Sequence, residues 1–302
     1  MRRCPSLSAL LPEYLSEKRR WIEQELIKRI PPADACPGKL HEAIQYTLML
    51  PGKRLRPILC LAVGAMFGAA EETLVPAACA VEMVHASSLI LDDLPCMDNA
   101  TLRRGRPACH RVFGESIAIL AAVALLDRAF GVLAEEWPAS RPGDRLARKL
   151  AEKLSAAVGP AGILGGQYVD LQSVGRQLDF ETIEYIHSHK TGSLFISAAE
   201  IGALVGGARE AEMEAITAYS KNLGLAFQVT DDLLDSTGTP EITGKDAGLD
   251  RGKTTFVSFA GVEGARRLVD DLIDASLNAL EPFRTRAGRL VELAELVRTR
   301  DR

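Results

Sequence analysis

Two aspartate-rich segments constrain this chain more than any other feature. Asp92-Asp93-Leu94-Pro95-Cys96-Met97-Asp98 and Asp231-Asp232-Leu233-Leu234-Asp235 each close a long apolar run with helical periodicity. Crowded carboxylates repel one another, and removing them from water is costly, so a fold that buries these runs needs something cationic beside both clusters. A donor set made only of oxygen favours Mg²⁺, which completes its shell with water and substrate phosphates. A purely structural helical bundle leaves the six carboxylates without a reason.

The rest of the chain is compatible with one large helical fold. It has 302 residues, 47% hydrophobic and 25% charged, with a formal net charge of −4. That balance argues against bulk attraction to nucleic acid or to anionic lipid. The basic residues are clustered instead, at Lys53, Arg54 and Arg56 and again at Arg103, Arg104, Arg106 and Arg111, which suits a small anionic ligand. Six scattered cysteines without a CxxC pair read as reduced thiols of a cytoplasmic protein. The start, Met1-Arg2-Arg3-Cys4-Pro5, shows no signal-peptide pattern. The apolar runs 58–70 and 117–126 are too short to span a bilayer, so no membrane span is expected.

Apolar spacing and Pro/Gly punctuation predict helices over residues 7–29, 39–49, 58–67, 72–94, 116–136, from 144 onward, 180–189, 193–205, 210–235, 255–280 and 289–300. Asp179, three residues before Thr182, has the pattern of an N-cap. No convincing strand, repeat or linker is visible. The expected architecture is all-α, a single domain over 1–302 with about ten or more helices around a deep central cavity. The longest internal loop is expected over 236–253, and loops of that length are usually functional.

Within the second cluster, Asp231 and Asp235 are four apart and share a helix face with Gln228. Their charge opposes the helix dipole, and no basic residue follows within a turn, which weakens the reading as a solvated acidic face. Asp92 and Asp98 are six apart and would diverge on a regular helix. Pro95 removes a donor and clashes with the preceding turn, so local unwinding is expected to bring Asp98 back towards Asp92. His85, seven residues before Asp92, is on the same face and reads either as a core residue or as a phosphate ligand. Lys190-Thr191-Gly192, Lys245 and Lys253 are weak phosphate-loop signals, and none is a Walker-type loop. Gln167 and Asp170, at i and i+3, suit either buried structural hydrogen bonds or support to a site.

With these residues the chain resembles the trans-isoprenyl diphosphate synthases, the polyprenyl synthetase family. The likeness runs from Gly52-Lys53-Arg54-Leu55-Arg56-Pro57 through the two Asp blocks, Leu102-Arg103-Arg104-Gly105 and His189-Lys190-Thr191-Gly192 to the C-terminal Leu-rich helix. The resemblance implies an all-α homodimer whose two Asp clusters face each other across a cavity, with three Mg²⁺ bridging them to an allylic diphosphate (dimethylallyl, geranyl or farnesyl). It implies metal at Asp92, Asp93, Asp98, Asp231, Asp232 and Asp235, some through water. Catalysis would fall to Asp92, Asp93, Asp98, Asp231 and Lys190. Isopentenyl diphosphate would sit on Lys53, Arg56, His85 and Arg104. The allylic diphosphate would sit on Arg103, Lys190, Thr191, Gln228, Lys245 and Lys253. Leu91 departs from the family's usual His, and Ala100 and Thr101 depart from its usual acidic pair.

The family's product length is set on the floor of its channel, below Asp92. Small Ser87 and Ser88, with Met83 and Val84 one turn deeper, imply geranylgeranyl diphosphate, with farnesyl or longer products as alternatives. A class I terpene cyclase would mix Asn, Ser/Thr and Glu in its second metal motif, and a non-catalytic regulatory subunit would lose one Asp cluster. Neither pattern is present.

Overall fold

Helices account for nearly every element of this chain, as the 3.6-residue periodicity requires. The computed structural model describes residues 7–137, 141–237 and 255–300. In chain order the helices are α1 (Leu7–Lys28), α2 (Gly38–Leu48), α3 (Leu55–Met66), α4 (Glu71–Asp92), α5 (Cys109–Phe113), α6 (Glu115–Glu136) and α7 (Arg141–Val158). They continue with α8 (Ile163–Gln172), α9 (Phe180–Ile186), α10 (Ser193–Val205), α11 (Glu210–Thr237), α12 (Phe256–Ala279) and α13 (Gly288–Arg298). A π-helical segment, His187–Gly192, joins α9 to α10.

Local chemistry sets several boundaries. Asp179 caps α9 by accepting from the Thr182 N–H at 2.8 Å. A capping box opens α12: Thr255 Oγ1 accepts from the Ser258 N–H and Ser258 Oγ from the Thr255 N–H. The expected all-helical reading needs one addition, a short antiparallel pair, β1 (Leu102–Arg103) and β2 (Arg106–Pro107). Its turn puts Arg104 (φ 53°) and Gly105 (φ 77°) in the left-handed region. Asn-Gly or Asp-Gly would announce such a turn; Arg104-Gly105 does not.

Two apolar clusters form the core. One joins α1, α2, α4, α6 and α7, and the other joins α11, α12 and α13. Helices α3 and α10 contribute to both, and they approach closely because Gly202 lies against the Cys60 carbonyl. Burying each Leu or Ile of this core contributes roughly 1.5–3 kcal/mol.

Helices α4 and α6 prove long and apolar enough to cross a membrane by length and composition, which the shorter apolar runs do not suggest. The apolar window of α4 is 78% buried inside the fold, as befits a core helix. That of α6 is only 39% buried, with Ile119, Leu120 and Val123 exposed along one side.

Candidate active site at the two aspartate clusters

The first cluster forms where α4 stops. Asp93 N–H still donates to Leu89 O, but Pro95 cannot continue the ladder, and the Asp98 N–H turns back to Asp92 O at 2.9 Å. The unwinding expected at Pro95 therefore places Asp98 beside Asp92. The Asp92 carboxyl is pushed above its ordinary range by burial, with Asp98 and Asp93 adding to the effect and Lys190 and Arg103 opposing it. A divalent cation there would reverse that direction. Asp93 is 2% exposed and faces away into a fork from Arg103, whose Nε lies 3.0 and 3.2 Å from its two oxygens and whose Nη2 donates as well.

The β1–β2 turn sends neighbouring arginines to different tasks. Arg103 holds Asp93, while Arg104 Nη2 lies 3.4 Å from His85 Nε2. Arg56 Nη1 lies 3.4 Å from the same nitrogen. Burial first, then Arg56 and Arg104, hold the His85 pKa well below its ordinary value. The ring is thus neutral, and because guanidinium groups only donate, Nε2 must be the acceptor. Burial pushes the Arg56 pKa down to about 10, with Arg104 adding to it and Glu82 and Asp231 opposing. Arg56 Nε is buried without an acceptor among the described residues. Lys53 is lowered by burial and by Arg300, with Asp231 opposing. Cations that depress one another, one with an orphaned donor, make a ready anion site.

Beneath these cations lies a residue that the sequence pattern did not single out for this role. Arg54 is 3% exposed, its Nη1 meets Glu82 at 2.6 Å, and its Nη2 donates to Leu48 O and Leu50 O at 2.9 Å each. It holds the loop that carries Gly52 and Lys53.

The π-helical segment connects the two clusters. Lys190 Nζ is 2.8 Å from Asp170 Oδ2 and 3.8 Å from Asp92 Oδ2. Burial opposes its charge, but Asp92 and Asp170 more than offset that, so its pKa lies above the usual lysine range. Asp170 therefore supports the site. Gln167 sits on the same helix, its Nε2 3.9 Å from Met97 Sδ. Thr191 Oγ1 donates to Gln228 Oε1 at 3.1 Å, and Gln228 Nε2 donates to Asp232 Oδ1 at 3.0 Å. A continuous run of contacts thus leads from Asp92 to Asp232.

Within the second cluster, Asp231 and Asp235 keep accessible positions while Asp232 is buried. Arg300 Nη1 meets Asp231 Oδ1 at 2.6 Å, and its guanidinium covers the Phe227 ring at 4.6 Å. Arg300 stands near the chain's end without a motif around it, and only the packing of α13 on α11 reveals it. Lys245 and Lys253, and the loop expected over 236–253 apart from its first two residues, lie outside the described residues.

On α4, His85, Ser88, Leu89 and Asp92 are half-exposed on one face, at i, i+3, i+4 and i+7. Met83, Val84 and Ser87 are buried, and Ser87 Oγ donates to Ala122 O on α6 at 2.8 Å. The accessible serine is Ser88.

Among the described residues, no group of three Asp, Glu, His or Cys side chains is already placed to hold a metal ion. Mg²⁺ takes one or two protein carboxylates and draws its other ligands from water and phosphate. The donor chemistry fits as well, since the accessible oxygens at Asp92, Asp98, Asp231 and Asp235 are all carboxylate.

Comparison with known proteins agrees with this geometry. The sequence model of the family described as polyprenyl synthetase matches residues 37–280. A dimethylallyltranstransferase of Fischerella ambigua is 43% identical over 293 residues, covering 96% of this chain and 84% of that protein. Geranylgeranyl pyrophosphate synthase 4 of Arabidopsis thaliana is 44% identical over 275 residues, covering 89% and 72%. The solved geranyltransferase of Helicobacter pylori, complexed with magnesium and isoprenyl diphosphate, superposes with a TM-score of 0.84 at 29% identity, covering 98% of both chains. With the family sequence matched across both aspartate clusters and the fold matched end to end, this chain belongs to the polyprenyl synthetase family of prenyltransferases.

Proposed function

We propose that this chain condenses isopentenyl diphosphate head-to-tail with dimethylallyl, geranyl or farnesyl diphosphate, with geranylgeranyl diphosphate as its main product. The observation that carries this reading is the run of contacts from Asp92 through Lys190, Thr191 and Gln228 to Asp232, flanked by Lys53, Arg56, His85 and Arg104. These contacts link the two acidic clusters beside a group of cations, which suits two diphosphates and the metal between them.

Asp92 and Asp98 on one side, and Asp231 and Asp235 on the other, would hold Mg²⁺, three ions in all by family resemblance. When bound, the metal supplies charge neutralisation for the departing diphosphate. Lys190, held by Asp170, puts a fixed ammonium beside the same leaving group, and preorganised charge of this kind is a large contribution to rate. Arg56 and Arg104, set by neutral His85, orient the isopentenyl diphosphate so that its double bond meets the allylic carbon. Released pyrophosphate would take the proton lost as the new double bond forms. Neither Lys53 nor any arginine here suits that task, because each is needed as a cation. The apolar stripe of Val112, Ile119, Leu120 and Val123, left outside the fold, supports pairing with a second copy. The same reading places the enzyme in the cytoplasm as one domain without a membrane span.

The test is incubation with isopentenyl diphosphate, Mg²⁺ and each of the C5, C10 and C15 primers, followed by product sizing. C20 product is expected; no elongation from any primer by folded, metal-replete protein rejects the enzyme reading.

Product length gives a second check. Ser88→Phe places a ring on the accessible face of α4, one turn below Asp92, and is expected to shift products towards C15 or shorter. Ser87→Phe instead drives a ring into the α4–α6 contact, at about 1–3 kcal/mol of stability. Chromatography of the dephosphorylated products and a thermal melt distinguish them, and unchanged product length in Ser88→Phe would contradict this account of the floor.

A further inference from the structure

The β1–β2 hairpin carries two arginines of the candidate site, yet its ladder is only two residue pairs long, Leu102 with Pro107 and Arg103 with Arg106. An isolated hairpin of that size is marginal in water, so contacts from elsewhere must fix where its turn stands. Helix α2 supplies one of them. Tyr46 Oη donates to the Pro107 carbonyl oxygen at 2.7 Å, and its ring meets Phe113 edge-on with centroids 5.5 Å apart. Four residues further along, the Leu50 carbonyl oxygen faces Arg104 Nη1 at 3.5 Å. The Arg104 guanidinium lies over Gly52, where a Cβ would come within 2.8 Å of Cζ, so only glycine leaves it that room. The end of α2 and the loop after it thus meet the hairpin twice. Tyr46 holds its backbone, and Leu50 and Gly52 meet the tip of Arg104.

The two arginines depend on this anchorage unequally. Arg103 is fixed by its fork onto Asp93, with Nε 3.0 and 3.2 Å from the two carboxylate oxygens. Among the described residues, the hydrogen-bond partners of the Arg104 guanidinium are both neutral, Leu50 O at 3.5 Å and His85 Nε2 at 3.4 Å. Contacts that long are weak, so the place of this guanidinium follows the backbone that carries it.

We propose that Tyr46 is a positioning residue for Arg104. Its hydroxyl sets where the hairpin turn stands, and so the reach of the Arg104 guanidinium to isopentenyl diphosphate beside Lys53 and Arg56. Tyr46 acts through the hairpin and not on the reacting atoms. The inference rests on the prenyl-transfer reading for the identity of that ligand.

Tyr46→Phe keeps the ring against Phe113 and removes only the donor. It is expected to raise the KM for isopentenyl diphosphate about three- to tenfold, the effect of one misplaced charge-assisted contact. Both kcat and the KM for the allylic primer should stay within about twofold of wild type, because Arg103 keeps its own anchor. Tm should fall by no more than about 3 °C, since a single hydrogen bond is a small part of the stability of a chain this long. In an Arg104→Ala background the same substitution should change the KM by less than about twofold, because the group it positions is gone.

An unchanged KM for isopentenyl diphosphate in Tyr46→Phe overturns the proposal. An equal rise with and without Arg104 does so too, as does a rise shared by the primer and joined to a Tm loss beyond about 6 °C, which marks a purely structural role. Calorimetric titration with isopentenyl diphosphate alone repeats the comparison without turnover. Tyr46→Phe is expected to bind it about three- to tenfold more weakly than wild type, and equal affinity overturns the proposal. A wild type that binds isopentenyl diphosphate but elongates no primer would reject the prenyl-transfer reading, while the titration still decides the role of Tyr46.

Discussion

Asp92→Ala and Asp231→Ala are each expected to lower kcat on the order of 10³-fold or more while leaving the chain folded. These carboxylates belong to different clusters and keep accessible positions, in contrast to buried Asp93 and Asp232. Each substitution removes one attachment for the cation that offsets charge on the departing diphosphate, and about 4 kcal/mol of lost transition-state stabilisation corresponds to that factor. Asp92→Ala also removes a counter-charge of Lys190, and Asp231→Ala removes the partner of Arg300. Asp235→Ala should cost less, because Asp235 is exposed at the rim. Steady-state kinetics over a Mg²⁺ series, with circular dichroism melts, check the set. Activity within about tenfold of wild type in either Asp92→Ala or Asp231→Ala would remove the metal clamp from the mechanism.

Arg54→Ala should produce the largest loss of stability. The Arg54–Glu82 pair is 1% and 2% exposed at its side chains, and Arg54 also satisfies the carbonyls of Leu48 and Leu50. Truncating one partner of a buried pair strands the other charge, at about 3–5 kcal/mol. For a chain of this size, that lowers Tm by roughly 10 °C. Arg54→Met with Glu82→Leu should lose less than Arg54→Ala, since neither charge is then stranded. The same loop carries Lys53, so the KM for isopentenyl diphosphate should rise in Arg54→Ala. Differential scanning calorimetry settles the first point; a Tm within about 3 °C of wild type would show that the pair does not brace this loop.

Much of the helical frame is legible from spacing alone. The 193–205 prediction matches α10, and Asp179 and Thr255 cap helices by short-range rules. The return of Asp98 to Asp92 also follows locally, because Pro95 lacks the donor that a continuing helix needs. The β1–β2 turn is not legible, since an arginine in the left-handed region is unusual and its position is held by distant partners, His85 and Leu50. The π-helical segment at 187–192 and the approach of Arg300 to Asp231 also lack a local signal. Gln167 and Asp170 are ambiguous for a plain reason: i, i+3 spacing shows that two side chains share a face and not what the face meets.

Periodicity, proline chemistry and charge act over a few residues. The order of amino acids alone therefore suffices for the helical class, the two carboxylate clusters and the cations available to serve them. How each aspartate pair divides its labour is a matter of long-range packing. Neighbours in an Asp-Asp pair point about 100° apart on a helix, so one stays more accessible while the other turns towards the protein. Asp93 meets Arg103 of the β1–β2 turn, and Asp232 meets the start of α12 as well as Gln228 of its own helix.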